Sequence, residues 1–94
     1  MARNEQERSL HEALRRIPID HQIALELAYW EDLSGPEIAG ILDISEHTVR
    51  SRLARAREML REQVMKQARS VIEAKTTMAG FDARVVISSL SARA

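Results

Sequence analysis

The chain has no cysteine. That excludes a disulfide framework and any thiolate metal site. Glycine and proline are also scarce, at three and two, and neither occurs between residues 41 and 79. So long a stretch without a breaker favours helix, and the expected fold class is all-α. Only three aromatics are present, Tyr29, Trp30 and Phe81, so the core must come mainly from Leu, Ile, Val, Ala and Met. The N-terminal MARNEQERSLHE has no apolar run of the signal-peptide kind. Nowhere does an apolar stretch approach the ~20 residues that span a bilayer. The expectation is a soluble, cytoplasmic protein without membrane contact, and 94 residues leave room for one domain.

An excess of charge is missing as well, with 14 basic and 14 acidic side chains. The balance hides a polarity. Residues 1–46 hold four basic and ten acidic groups, while residues 47–94 hold ten basic and four acidic ones. Such a split implies two surfaces with different partners.

Leu10, Ala13, Leu14 and Ile17 follow the spacing of one helical face and predict a first helix from about Glu5 to Arg16. Pro18 ends it, because the residue before a proline disfavours the helical region. Asp20 is the candidate cap of a second helix, His21 to about Glu31, with Ile23, Ala24, Leu27, Ala28 and either Trp30 or Leu33 inward. Ser34-Gly35-Pro36-Glu37 reads as a capping box that opens a third helix, with Ile38, Ala39 and Leu42 inward. Asp43-Ile44 is a short connection, and Ser45 caps the fourth helix.

That fourth helix carries Val49, Leu53, Ala56 and Leu60 on one stripe and Arg50, Arg52, Arg55, Arg57 and Arg61 elsewhere. Val64, Ala68, Val71 and Ile72 extend the stripe, with a break open between Arg61 and Gln67 and an end near Thr76-Thr77 and Gly80. Beyond it, Asp82 could cap a last short helix with Phe81 stapled onto Val86. The run Val85-Val86-Ile87 is equally consistent with a strand or a disordered tail. The expected division is 1–62 for the domain proper and 63–94 for a C-terminal helical extension.

Residues 34 to 60 thus spell two helices joined by a tight turn, a helix-turn-helix. The small Ala39 permits the close crossing, and Ile38, Leu42, Ile44, Val49 and Leu53 fix the angle. In such a unit the second helix is presented to the major groove of DNA. Arginine bonds bidentately to guanine O6 and N7. Arg50 and Arg55, with the small Ser51 and Ala54 between them, lie around the exposed face. The amides near Ser45 and Glu46 can meet a phosphate at the positive helix end. Arg52, Arg57 and Arg61 are assigned to phosphates or acidic side chains.

The segment Leu33-Ser34-Gly35-Pro36-Glu37-Ile38-Ala39, followed by Ile44-Ser45-Glu46-His47-Thr48-Val49-Arg50-Ser51-Arg52-Leu53-Ala54-Arg55-Ala56-Arg57, resembles region four of bacterial sigma factors, in particular the extracytoplasmic-function group. The upstream Ile17-Pro18-Ile19-Asp20-His21 resembles the first part of that region, and the likeness covers about residues 8 to 62. It implies a small helical domain of the winged-helix-like or sigma region 4 type. It also implies binding of the promoter minus-35 element through the helix 45–60. The same resemblance puts His47, Arg50, Ser51, Ala54 and Arg55 at the DNA, and together with Ser45, Glu46, Thr48, Arg52 and Arg57 they form the expected DNA-binding set. Implied partners are the β flap of the RNA polymerase core, met by the acidic N-terminal helices, and an anti-sigma protein. His47 stands where the family has a small residue, and no region-two domain lies within these residues, so the chain reads as a fragment or a single-domain relative.

Other readings stay open. A response-regulator type of helix-turn-helix shares Glu-Ile-Ala and Thr-Val-Arg, but Arg52 stands where that family has histidine. A protein-interaction module is favoured by the acidic half and by the apolar stripe beyond Leu60, where a dimer contact through 60–79 would fit. The arginine row could instead be a solvated face, braced by Glu58–Arg61 and Glu62–Lys66 pairs. No nucleophile–base arrangement points to an enzyme, and the three histidines lack metal-ligand spacing, so neither a cofactor nor a metal is expected.

Overall fold

In the computed structural model the backbone is described for residues 2–93 and the side chains for residues 5–85. Among these residues five helices follow one another: α1 Ala2–Leu14, α2 Ile19–Leu25, α3 Gly35–Leu42, α4 Glu46–Gln67 and α5 Val71–Arg93. The all-α expectation holds. A π-helical turn, Glu26–Trp30, extends α2 without a break. Helix α4 is the spine, and α1, α2, α3 and α5 all pack against it.

Pro18 itself is the N-cap of α2, at φ −54° and ψ 143°. Asp20, expected to cap, sits inside the first turn, where its carboxylate accepts from the His21 amide at 3.0 Å and meets His21 Nδ1 at 2.9 Å. The inward face of α2 is also rotated from the expected one. Leu25 and Tyr29 are buried beside Ala24 and Ala28, whereas Ile23 is exposed. The wide π turn, closed by the Glu31 amide donating to the Glu26 carbonyl at 2.9 Å, brings Tyr29 and Trp30 round towards α5 together.

The break after α4 falls at Ala68–Ser70, later than the window that sequence spacing left open. Ser70 and Glu73 restart the chain, since Ser70 Oγ accepts from the Glu73 amide and the Glu73 carboxylate accepts from the Arg69 amide. From there α5 runs straight through Thr76, Gly80 and Asp82. The expected end near Gly80, the separate short helix and the strand are all overturned, because Ala74, Met78 and Phe81 bury one continuous face of α5. The Phe81–Val86 staple lies outside the described residues.

All three aromatics converge. Phe81 is fully buried, edge-on to Tyr29 with centroids 5.7 Å apart and stacked on Trp30 at 6.3 Å. Arg84 binds this cluster from α5. Its guanidinium lies 4.7 Å from the Trp30 ring, donates to the Tyr29 carbonyl at 3.2 Å and pairs with Glu7 at 2.9 Å. One core therefore contains Leu10 of α1, Leu60 and Val64 of α4 and Phe81 of α5. Among the described residues, much of the apolar surplus beyond Leu60 is spent inside the chain, but Met65, Val71 and Ile72 stand exposed at 53%, 59% and 77%.

Candidate nucleic-acid interface

Two caps and a turn set the angle of the second helix. Ser34 Oγ accepts from the Glu37 amide at 3.3 Å, and the Glu37 carboxylate accepts from the Ser34 amide at 3.0 Å. That reciprocal bond holds the Glu37 carboxyl below its ordinary value, since bonding favours the ionised form. Helix α3 ends at Asp43, which takes the left-handed conformation with φ 56° and ψ 49°. Aspartate tolerates that region better than branched residues do. The Ile44 amide then reaches back to the Ala39 carbonyl at 3.1 Å, closing the turn. Ser45 caps α4 by accepting from the Thr48 amide at 3.0 Å.

Ile38 and Val49 are fully buried where α3 meets α4, with Ala39, Leu42, Ile44 and Leu53 packed against them. With that face fixed, the opposite face of α4 is free. His47, Ser51, Ala54 and Glu58 follow one another at steps of four, three and four residues, and all are exposed. They form a strip about 16 Å long at ~1.5 Å per residue. Arg50 and Arg55 flank it, also exposed. The middle of the strip is Ser51 and Ala54, so two guanidinium groups stand either side of a low waist.

The ten residues expected to meet DNA divide on this geometry. Six of them, Glu46, His47, Arg50, Ser51, Ala54 and Arg55, lie exposed on α4. Ser45 and Thr48 are occupied by the cap, their hydroxyls 2.8 Å apart. Arg52 is half-buried; the His21 hydrogen bond chiefly holds the Asp20 carboxyl below the usual value, and the Arg52 charge adds a minor contribution. Arg57 is half-buried and donates to the Tyr29 hydroxyl of the π turn. Arg55 Nη1 rests 3.3 Å from Glu58 Oε2, an exposed pair of the kind that contributes at most ~1 kcal/mol. Glu58 thus pairs towards the helix start, and the expected Glu58–Arg61 brace gives way to an ion pair between Arg61 and Asp82 at 2.6 Å.

Sequence reasoning missed three residues that shape this surface. Tyr29 fixes Arg57, Asp82 engages Arg61, and Arg84 ties the π turn to α5. Only the basic–acidic alternation in 82–84 could have hinted at the last two.

A second helix with a free basic face, held at a fixed angle by a short turn, defines the helix-turn-helix class of DNA-binding proteins. Within that class, residues 7–60 match the model of sigma-70, region 4, and the chain belongs to that family. The family is one of transcription regulators rather than enzymes.

Among curated relatives, the RNA polymerase sigma-H factor of Pseudomonas aeruginosa is 40% identical over 60 residues, covering 64% of this chain and 31% of its own length. The ECF RNA polymerase sigma-E factor of Haemophilus influenzae is 39% identical over 64 residues, covering 68% and 34%. The RNA polymerase sigma factor SigV of Bacillus subtilis is 40% identical over 58 residues, covering 62% and 35%. The chain spans about a third of the length of these relatives. The match decides between the sigma and response-regulator readings in favour of sigma. Among the described residues no helix is long and apolar enough to cross a membrane.

Proposed function

We propose that the chain is the promoter-recognising region 4 of an extracytoplasmic-function sigma factor and reads the minus-35 element with the exposed strip of α4. The observation that carries this is the strip itself: Arg50 and Arg55 exposed on either side of the small Ser51 and Ala54. Small residues let the helix sink towards the base edges while the flanking guanidinium groups reach guanine O6 and N7. His47 stands at the leading end, where an imidazole can donate to a base or a phosphate. The first amides of α4 not taken by Ser45 face outward at the positive end of the helix and suit a phosphate. Arg57, bonded to the Tyr29 hydroxyl of the π turn, acts mainly by positioning the helix, and Arg52 is only partly exposed.

The polymerase contact is proposed for the opposite, acidic side. Ile19 and Ile41 are 66% and 60% exposed, with Ile23 beside Ile19 on α2; Asp20 and Glu37 are exposed on the same two helices, and Asp43 at the cap of α3. Exposed isoleucines among acids suit a protein surface such as the β flap better than DNA. An anti-sigma protein would act by covering either surface.

The test is binding to duplexes selected from a random pool, followed by fluorescence anisotropy between about 50 and 200 mM salt. The reading predicts recovery of a short common motif and a linear fall of log K with log salt. Arg50→Ala with Arg55→Ala should abolish motif preference, each lost bidentate contact costing ~1–3 kcal/mol. Binding that survives this double change, or that ignores salt, sinks the DNA reading. Failure of an immobilised β flap to retain the chain counts against the polymerase contact alone.

A further inference from the structure

Helix α5 lies beyond the residues matched to the family, yet it places one carboxylate on the basic helix. Asp82 Oδ1 meets Arg61 Nη2 at 2.6 Å, and the two side chains are 51% and 48% exposed. We propose that Arg61 is a further phosphate contact of the DNA interface and that Asp82 withholds it, so that α5 sets the strength of DNA binding. This rests on the reading of α4 as the DNA helix.

The argument begins with helical periodicity. Arg61 follows Arg50 by 11 residues, about three full turns, so both project from one line along α4. At ~1.5 Å per residue the separation is ~16 Å. The major groove is ~12 Å wide. When Arg50 reaches a base edge, Arg61 has therefore passed the rim of the groove and stands over the sugar-phosphate backbone. A guanidinium there forms charge-assisted bonds to a phosphate, the same bonds that it now makes to a carboxylate.

Asp82 is thus a competitor that imitates the phosphate. The pair is half-exposed on both sides, so neither partner is locked in by burial and exchange costs little. Arg57 differs, because its guanidinium is half-buried and bonded to a neutral hydroxyl. Of the α4 arginines, Arg61 is the one that is both exposed and paired to a carboxylate from another helix. The nearby Arg55–Glu58 pair is made within α4 and carries no information from α5.

The experiment is a four-protein cycle on the full chain: unaltered, Asp82→Asn, Arg61→Gln and the double change, each checked for helicity and melting temperature. Asp82→Asn keeps the shape of the side chain and removes the charge. The expected result is DNA binding about two- to fivefold tighter, in line with the modest strength of exposed pairs. The salt slope should steepen by up to ~0.9, one more phosphate neutralised. Arg61→Gln alone should change affinity less than twofold, because the arginine was withheld. In the double variant the gain should vanish. A gain that persists in the double variant means a general loss of negative field and overturns the proposal. So does an Asp82→Asn protein that binds equally or more weakly at unchanged slope, the behaviour of a merely structural clamp. If the unaltered chain fails the Arg50 and Arg55 test, the DNA reading itself falls. If it passes and Asp82→Asn is silent, only the role of Asp82 falls.

Discussion

The two long helices, α4 with 22 residues and α5 with 23, are nearly equal in length and opposite in construction. Helix α4 separates its faces: Val49, Ala56, Leu60 and Val64 lie in the core, while the outer face is mainly charged or small, although Met65 is exposed. Helix α5 barely separates them. Ala74, Met78 and Phe81 are inside, but Ile72, Ala79, Gly80 and Ala83 are outside. The orientation of α4 is therefore written in its own pattern, whereas α5 is oriented by a few specific contacts, chiefly Phe81 against Tyr29 and Trp30 and Arg84 on Trp30, Tyr29 and Glu7. A helix that carries a binding face needs the first kind of specification. A helix that braces can be held by the second.

The comparison breaks most severely at Phe81. If α5 is integral to the core, Phe81→Ala should cost about 3–5 kcal/mol, since the side chain is fully buried against two rings and the cavity cannot close without moving α5. Chemical denaturation should then show one cooperative transition shifted as a whole. A loss below ~1 kcal/mol, with α5 alone melting, would reduce α5 to an appendage.

A smaller effect is expected at the start of α4. Ser45→Ala removes the acceptor of the Thr48 amide and should cost about 0.5–2 kcal/mol, read as a lower melting temperature. It should also weaken DNA binding by loosening the first turn, where His47 stands. An unchanged melting temperature would show that the cap is dispensable.

The mildest change sharpens the account of the outer face of α5. Gly80 lies in mid-helix, and a Cβ added there meets no atom within 4 Å. Gly80→Ala should therefore stabilise the chain by about 0.5–1 kcal/mol, the ordinary helix-propensity gain. Thermal denaturation of the isolated chain measures it, and a decrease would mean that this face is crowded after all.

The same contrast explains what could be read from the sequence. The capping box at Ser34, the cap at Ser45, the connection at Asp43-Ile44 and the stripe Val49–Leu60 were legible because each is a local rule between residues a few positions apart. The strip of exposed residues followed as the complement of that stripe. What was illegible was non-local. Tyr29 meets Arg57 across 28 positions, Arg61 meets Asp82 across 21, and Arg84 meets Glu7 across 77. The π turn was hidden for another reason: widening one turn by a residue leaves the sequence of Glu26–Trp30 looking helical. The length of α5 was misjudged because Gly80 and Asp82 are stop and start signals in isolation, and burial of Phe81 between them overrides both.

The central claim is that DNA meets the outer strip of α4 and not the acidic face or α5. Mapping backbone amide chemical shifts while a selected duplex is added tests this directly. The account predicts the largest shifts at His47, Arg50, Ser51, Ala54 and Arg55, with little change at Ile19, Glu37 or Ile72. Shifts centred on α2 and α3, or on the outer face of α5, would contradict it.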